Sequence, residues 1–326
     1  MNQEVQDLIL KLTGAKKAHE REVIQSLWSG YGEILRVALE GCAITSVVVK
    51  HVRFPADSAH PRGWNTNLSH ERKVRSYKVE MNWYEHWSSI CTDAARVPRC
   101  LGQETIGDEV IMILEDLDAA GYPLRKSSLE WHEIKACLRW LATFHATFLG
   151  KTPEGLWAQG SYWHLDTRPD ELDVLDDQNL KKAASTIDDT LKKAKYQSII
   201  HGDAKIANFC FSPKGAVSAV DFQYVGGGCG MIDVAYFMGS CMYEDECAKM
   251  EWKVLGYYFT CLKEAVNNLS PQYNKEYAEL ESEWRDLYPY AWTDFYRFLK
   301  GWSPGHWKLN SYSEQMSRNV LADLGY

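Results

Sequence analysis

The chain has 326 residues, of which 45% are hydrophobic and 25% are charged, as in ordinary globular proteins. This composition excludes a disordered, collagen-like or small disulfide-stapled protein. At roughly 150 residues per domain, the length predicts two domains or lobes. The net charge of −8, from 36 basic and 44 acidic residues, argues against a nucleic-acid-binding protein and slightly favours a cationic partner.

The sequence gives no signal for a membrane or an oxidising compartment. Its longest purely apolar run, residues 110–114, is far shorter than the roughly 20 residues of a membrane span. The opening MNQEVQDLIL carries acids but no base, so we do not expect a secretory signal. The nine cysteines are scattered without a CxxC motif. Their odd number argues against a disulfide framework, and we expect reduced thiols and a cytoplasmic protein.

The first third of the chain is predicted to be rich in strands. A helix is expected to begin near residue 3, before the first strand. The predicted strands lie at residues 23–28, 34–39, 44–52 and 110–114. The early connections are too short for a crossover, which indicates antiparallel pairing. Residues 55–67 are predicted to form a loop, and apolar side chains at helical spacing predict a helix over 69–90.

The remainder is predicted to be mainly helical, beyond a hinge near 114–121. The predicted helices lie at 128–148, at 173–195 and across most of 231–326. Two short strands at 198–200 and 217–221 flank a polar loop. The elements together predict an α+β protein with a strand-rich first part and a helical second part.

The polar loop carries the residues that indicate chemistry. It contains H-G-D-x-x-x-x-N from His201 to Asn208, and D-F-Q begins at Asp221. Phosphoryl transfer needs a carboxylate for the attacking hydroxyl group, and oxygen ligands that hold magnesium against the nucleotide phosphates. Asp203, Asn208 and Asp221 offer these groups in that order. The structural alternative is a set of turn-forming polar residues.

These motifs resemble the catalytic and metal-binding loops of the aminoglycoside phosphotransferase and choline kinase superfamily, most closely its ecdysteroid-kinase-like branch. The L-E-D-L segment at 114–117 resembles the hinge of that branch. The resemblance implies a protein-kinase-like fold, with an antiparallel-sheet nucleotide-binding lobe at 1–116 and a mainly helical lobe at 117–326. It also implies transfer of the γ-phosphate of ATP, with Mg²⁺, to a hydroxyl group of a small molecule.

The resemblance assigns expected roles to residues of the polar loop. Asp203 is expected to orient or deprotonate the acceptor hydroxyl group, and Asn208 and Asp221 to hold the metal. Lys205 is either a cation that neutralises the transferred phosphoryl group or an exposed loop lysine. His201 is expected to be structural.

Other roles in nucleotide binding follow from the same resemblance. Lys50, at the end of a valine-rich strand, is expected to hold the phosphates rather than to be a solvated lysine. Its expected partner is Glu80, with Glu85 as the alternative. Gly30 and Gly32 are expected to lie over the phosphates.

The glycine loop departs from G-x-G-x-x-G because Leu35 occupies the third glycine position. Adenine is expected to contact the backbone near Glu115 and Leu117. His145 and Asp233 are expected to be architectural, with Asp233 tying the catalytic loop to the next helix.

The acceptor pocket is expected among the aromatic and acidic residues of the last hundred positions. The candidates are Trp284, Trp292, Asp294 and Tyr296. An aromatic and acidic pocket suits an amino alcohol or a quaternary ammonium alcohol. A broad apolar pocket suits a steroid-like acceptor, and a third interpretation is that most of these rings fill the core. We expect two or three of the rings in this region to reach the pocket.

Two other functions are weaker. A nucleotide-binding pseudokinase scaffold would not need the complete set of Lys50, Asp203, Asn208 and Asp221. A protein kinase would carry H-R-D, D-F-G and A-P-E, which are missing here. The sequence does not indicate an oligomeric state.

Overall fold

A five-stranded antiparallel sheet forms the first part of the protein. The structure, a computed structural model, describes residues 1–27, 30–54 and 67–326. Residues 55–66 of the loop predicted at 55–67 therefore lie outside the described residues, and Asn67 begins a helix. The strands are β1 Lys17–Ser26, β2 Gly32–Glu40, β3 Ser46–Arg53, β4 Cys100–Ile106 and β5 Glu109–Glu115, in the spatial order β1-β2-β3-β5-β4.

Helices cover both faces of this sheet. Helix α1, Gln3–Thr13, is capped by the side chain of Asn2 and ends at Gly14 in the left-handed conformation. It packs on the outer face, against the side chains of Val47 and Val49 in β3. Helix α2, Asn67–Asn82, lies on the inner face and continues as a wider turn over Trp83–Trp87. Because side chains alternate along a strand, Lys50 points to the inner face.

The rest of the chain is mainly helical, as predicted. The helices are α3 Trp131–Thr147, α4 Pro169–Asp173, α5 Gln178–Lys192, α6 Met231–Cys241, α7 Glu244–Leu269, α8 Tyr277–Trp302 and α9 Ser311–Asp323. Four short strands form two small sheets: β6 Ser198–Ile200 pairs with β9 Gly226–Gly228, and β7 Phe209–Phe211 pairs with β8 Val217–Ala219.

Two boundaries differ from the prediction because capping residues decide them. Helix α3 begins after Glu130, which forms a reciprocal capping box with Glu133, and not after Ser128. The helix expected over 173–195 is divided, since Asp177 accepts a hydrogen bond from the N–H of Leu180 (3.0 Å) and starts α5 there.

Strands β4, β7 and β9 were not predicted. Strand β4 lies at the sheet edge and lacks a continuous apolar side. Strand β9 consists of three buried glycines. A Cβ atom at Gly226 would lie 2.3 Å from the carbonyl oxygen of Trp157, and one at Gly227 would lie 2.7 Å from that of Ala158. The glycine run is therefore a tightly packed strand.

The thiols and helices agree with the sequence analysis. All nine cysteines are free. In the parts of the chain that the structure describes, no helix is both long and apolar enough to cross a membrane.

His164 is a buried side chain whose two ring nitrogens have no hydrogen-bond partner in the described ranges. Burial lowers its pKa to about 3, with Asp166 opposing the shift and Lys192 adding to it. The ring is therefore neutral in the folded protein at neutral pH. In the unfolded chain it takes up a proton near pH 6.5, so its contribution to stability falls as the pH drops below 6.5.

We expect His164→Leu to remove part of the acid sensitivity. The free energy of unfolding of His164→Leu minus that of wild type should be larger at pH 4.5 than at pH 7 by about 2 kcal/mol. Urea unfolding at both pH values measures this difference, and His132→Leu, at an exposed histidine, is the control. An identical pH dependence in wild type and His164→Leu would contradict the assignment.

Candidate active site

A cavity of about 600 Å³ lies between the inner face of the sheet and the helical part. It is lined by β2, β3, β5 and α2 on one side and by the loops after β6 and β8 on the other. The sequence candidates that line it are Lys50, Glu80, Glu115, Leu117, Asp203, Lys205, Asn208 and Asp221. Residues more than 170 positions apart in the chain thus meet in one cavity.

Lys50 is buried between two carboxylates. Its Nζ atom lies 2.6 Å from Oε2 of Glu80 and 3.2 Å from Oδ1 of Asp221. Burial disfavours the charge, but the attraction of Asp221 and Glu80 outweighs it and the pKa of Lys50 is raised. Glu85 is exposed and accepts instead from Gln103 (3.3 Å). Of the two glutamates, Glu80 is the partner of Lys50.

The loop after β6 organises Asp203 and Asn208. Oδ2 of Asp203 accepts from Nζ of Lys205 (2.9 Å) and from Nδ2 of Asn208 (3.0 Å). Asn208 Nδ2 also donates to the carbonyl of Asp203 (2.7 Å), which leaves its Oδ1 atom directed away from that residue. Oδ1 of Asp203 is buried and has no hydrogen-bond partner among the described residues. A buried carboxylate oxygen in this state is costly unless a donor approaches it, and the hydroxyl of Tyr236 adjoins this carboxylate.

Asp233 holds the backbone of this loop in place. Its carboxylate accepts from the backbone N–H groups of His201 (2.6 Å) and Gly202 (2.9 Å), and it lies 3.1 Å from Nε2 of His145. His201 Nε2 donates to the carbonyl of Val220 (3.0 Å), and its Nδ1 accepts from the N–H of Asp203 (3.2 Å). Both histidines and Asp233 therefore serve loop architecture.

The loop after β8 holds Asp221 at a backbone φ of 69°. Next to it, the ring of Phe222 stacks on Trp83, with ring centroids 4.6 Å apart. Burial opposes ionisation of Asp221, but Lys50, Lys205 and Lys73 hold its pKa below the usual range. The carboxylate is therefore charged at neutral pH.

Gln223 is a site residue to which the sequence analysis gave no role. Its Nε2 donates to Oδ1 of Asp221 (2.6 Å), and its Oε1 accepts from Lys73 (2.9 Å) and from the hydroxyl of Ser76 (3.1 Å). This side chain joins Asp221 to α2 and fixes the carboxylate orientation. The D-F-Q motif contained the residue, but only the fold brings Lys73 and Ser76 to it.

The turn between β1 and β2 differs from a simple phosphate loop. Gly32 has a φ of 118°, and a Cβ atom there would lie 2.0 Å from the carbonyl oxygen of His51. The glycine is thus required by contact with β3. Gly30 has a φ of 75°, and a Cβ atom there would meet no atom of the described residues within 4 Å. Neither glycine lines the cavity, whereas Tyr31 does, and its hydroxyl lies 2.7 Å from Nδ1 of His70.

The segment after β5 closes one end of the cavity. Glu115 points its carboxylate to Arg96 (2.7 Å) and Arg99 (3.3 Å), so its backbone is what remains available to a ligand. The N–H of Leu117 donates no hydrogen bond within the described ranges. Apolar side chains of Ile34 and Val48 line the same end. This arrangement suits a flat ring with a polar edge.

The four acceptor candidates do not reach the cavity. Trp284 is buried and donates to the carbonyl of Tyr196 (2.9 Å), and Asp294 is paired with Arg297 (2.8 Å). Trp292 and Tyr296 are buried among the helices as well. Two other aromatic residues of α8, Phe298 and Trp302, line the cavity. Besides Tyr31, the tyrosines that do so are Tyr84, Tyr162, Tyr224 and Tyr236.

The sequence profile of the ecdysteroid kinase-like family matches residues 65–150 and 158–270, more than half of the chain. The chain belongs to this family. The predicted family is thereby confirmed. No curated protein sequence matches the chain.

Solved structures of several kinases are similar to this chain. Amicoumacin kinase, in complex with AMP-PNP, Ca²⁺ and Ami, is 13% identical with a TM-score of 0.50, covering 99% of this chain and 96% of that chain. A microcompartment-associated aminopropanol kinase is 14% identical, with a TM-score of 0.49 and coverage of 93% and 98%. Choline kinase from Streptococcus pneumoniae is 11% identical, with a TM-score of 0.46 and coverage of 97% of both chains. The first of these supports the predicted kinase-like fold.

The two glycines of the turn allow a matched test. We expect Gly32→Ala to lower the free energy of unfolding by roughly 3 kcal/mol, because it combines a forbidden backbone conformation with a clash against β3. Gly30→Ala, which meets no neighbour, should cost about 1 kcal/mol. Urea unfolding of both variants measures these values. Equal losses would show that the close approach to His51 does not determine the requirement for glycine.

Proposed function

We propose that the protein is an ATP-dependent phosphotransferase that transfers the γ-phosphate to a hydroxyl group of a small molecule. The observation that carries this proposal is the carboxylate of Asp203. One of its oxygens is held by Lys205 and Asn208, and the other is buried at the cavity without a partner among the described residues. Membership of the ecdysteroid kinase-like family supports the same function.

In this proposal Asp203 receives the proton of the acceptor hydroxyl group. The hydroxyl oxygen forms a bond to the γ-phosphorus of ATP, the bond between that phosphorus and the leaving oxygen of ADP breaks, and the proton moves to Oδ1 of Asp203. Lys205 remains protonated because the carboxylates of Asp203 and Asp221 outweigh its burial and raise its pKa. Its ammonium group faces the transferred phosphoryl group.

The residues present fit a divalent cation. Asn208 contacts Asp203 through Nδ2, so its Oδ1 atom takes no part in that contact. Asp221 lines the same cavity and carries a charged carboxylate. Magnesium is held in nucleotide sites by one or two such oxygen ligands together with phosphate oxygens and water. Mg²⁺ would neutralise phosphate charge when bound. Gln223 then keeps the carboxylate of Asp221 in position.

Lys50 and the segment after β5 complete the nucleotide site. We propose that Lys50, braced by Glu80, contacts the phosphates, and that the backbone of Glu115 and Leu117 contacts adenine. The nucleotide-binding lobe would comprise residues 1–116, and the catalytic and acceptor-binding lobe residues 117–326. Since Gly30 and Gly32 do not line the cavity, we assign the phosphate side of this turn to Tyr31.

We expect Asp203→Asn to lower kcat by at least about 10³-fold while the protein still binds Mg–ATP, because only the proton acceptor is lost. Transfer is measured with a library of hydroxylated acceptors, and Mg–ATP binding by the shift in thermal unfolding. Asp189→Asn, at an exposed aspartate paired with Lys193, is the matched control and should keep full activity.

Two results would contradict this proposal. One is full transfer by Asp203→Asn with the acceptor that wild type uses. The other is a well-folded wild type that binds Mg–ATP but transfers phosphate to no acceptor of the library, which would favour a pseudokinase scaffold.

A further inference from the structure

The side of the cavity beyond Asp203 is aromatic. Tyr162 lies there with its hydroxyl 3.2 Å from that of Tyr236, and the carboxylate of Asp203, together with burial, raises the pKa of both phenols. Phe298 and Trp302 of α8 line the same side and stack on each other, with ring centroids 5.7 Å apart. An acceptor placed against Asp203 therefore rests on flat apolar rings.

Two arginines face this aromatic side. Arg168 lies over the rings of Tyr162 (5.7 Å) and Phe298 (5.1 Å) and donates from Nε to the carbonyl of Tyr162 (2.7 Å). Arg72, from α2, donates to the carbonyl of Thr167 (2.7 Å). Both guanidinium groups line the cavity.

The charges of these arginines are not balanced in the described part of the chain. Arg168 pairs with Glu171 (3.2 Å), whereas Arg72 donates to the neutral oxygens of Thr167 and Ser69 and contacts the phenol of Tyr224, with no carboxylate within ion-pair distance among the described residues. Burial first, and then the charge of Arg168, lowers the pKa of Arg72. One carboxylate thus serves two guanidinium groups, and an additional anion would relieve the repulsion between them.

The carboxylates of the described cavity wall are already engaged. Each of them lies within ion-pair distance of a lysine or arginine. The pairs are Glu80–Lys50, Asp221–Lys50, Asp203–Lys205, Glu115–Arg96 and Asp116–Arg36. A cationic acceptor would therefore find no unpaired acid on this wall, while an anionic one would find two arginines with a surplus charge.

We propose that Arg72 and Arg168 form a subsite for an anionic group of the acceptor. The acceptor class is a hydroxylated, flat and apolar molecule that carries a carboxylate, sulfate or phosphate. Tyr162 links the two ends, since its hydroxyl contacts that of Tyr236, which adjoins Asp203, and its ring lies beneath Arg168. This inference rests on the proposed function, which places the hydroxyl group of the acceptor at Asp203.

Binding to matched probe pairs tests the subsite without requiring turnover. The pairs are 4-(hydroxymethyl)benzoate with its carboxamide, and cholate with its carboxamide. Calorimetric titration of the full chain with Mg²⁺ and a non-hydrolysable ATP analogue gives the dissociation constants. In at least one pair we expect the carboxylate to bind wild type about tenfold more tightly than the neutral amide, as a charge-assisted contact to arginine requires.

Arg72→Gln should bring this ratio close to one, because glutamine keeps a donor for the carbonyl of Thr167 but removes the charge. Arg72→Lys should restore part of it. Arg75→Gln is the matched control, since Arg75 lies one turn further along α2 over the ring of Trp157 and does not line the cavity. It should leave the ratio unchanged.

The subsite is overturned if wild type binds amide and carboxylate equally in both pairs. It is also overturned if Arg72→Gln weakens binding of the ATP analogue and leaves the carboxylate preference intact, because Arg72 would then belong to the nucleotide. Failure of the proposed function can be distinguished from failure of the subsite. A carboxylate preference that depends on Arg72, in a protein that neither binds Mg–ATP nor transfers phosphate, would keep the subsite and remove the kinase.

Discussion

The ammonium group of Lys50 lies in the interior of the protein between two carboxylates from different parts of the chain. Burying a charge costs several kcal/mol per ion, and an unpaired partner would be strongly destabilising. The pairing with Glu80 and Asp221 therefore fixes β3, α2 and the loop after β8 relative to one another. The lysines around Asp221 keep its carboxylate charged, as the divalent cation in the proposed function requires.

A second buried network holds the opposite wall of the cavity. Asp233 bonds to two successive backbone N–H groups of the loop after β6, and its carboxylate also contacts His145. His201 links this loop to Val220, the residue before Asp221. The carboxylates of Asp203 and Asp221 are thus positioned by the same fixed scaffold. Preorganisation of this kind is where most catalysis in phosphoryl transfer originates.

The local sequence predicted the residues of the polar half of the site, but it did not predict those of the aromatic wall with its two arginines. Asp203, Asn208 and Asp221 lie in short motifs, and Lys50 follows a run of valines, so their types and spacing predicted one cluster. Tyr162 and Arg168 lie in the segment before α4 and Arg72 lies in α2, and neither segment carries a motif. Only the fold brings them to one wall, and no local pattern records which way a loop side chain faces.

The aromatic residues of α8 show why this second half could not be predicted. Helical spacing places rings on one face, but it does not reveal whether that face meets a cavity or the core. Trp284 and Trp292 turn to the core, whereas Phe298 and Trp302 turn to the cavity. The strand β9 was missed for a related reason. Its three glycines have no pattern of their own, and their role is set by Trp157 and Ala158 across the chain.

The acidic character of the chain does not by itself describe the charge at the cavity. Acids near the expected pocket are committed to structural contacts. Glu283 accepts from the backbone N–H groups of Lys195 (2.7 Å) and Tyr196 (3.0 Å), Glu281 pairs with Arg285 (2.7 Å), and Asp294 pairs with Arg297. Net charge describes the whole surface, whereas a ligand meets only groups that remain unpaired at its site. In the subsite that we propose, Arg72 and Arg168 share one carboxylate, so the local charge preference we infer is opposite in sign to the net charge of the chain.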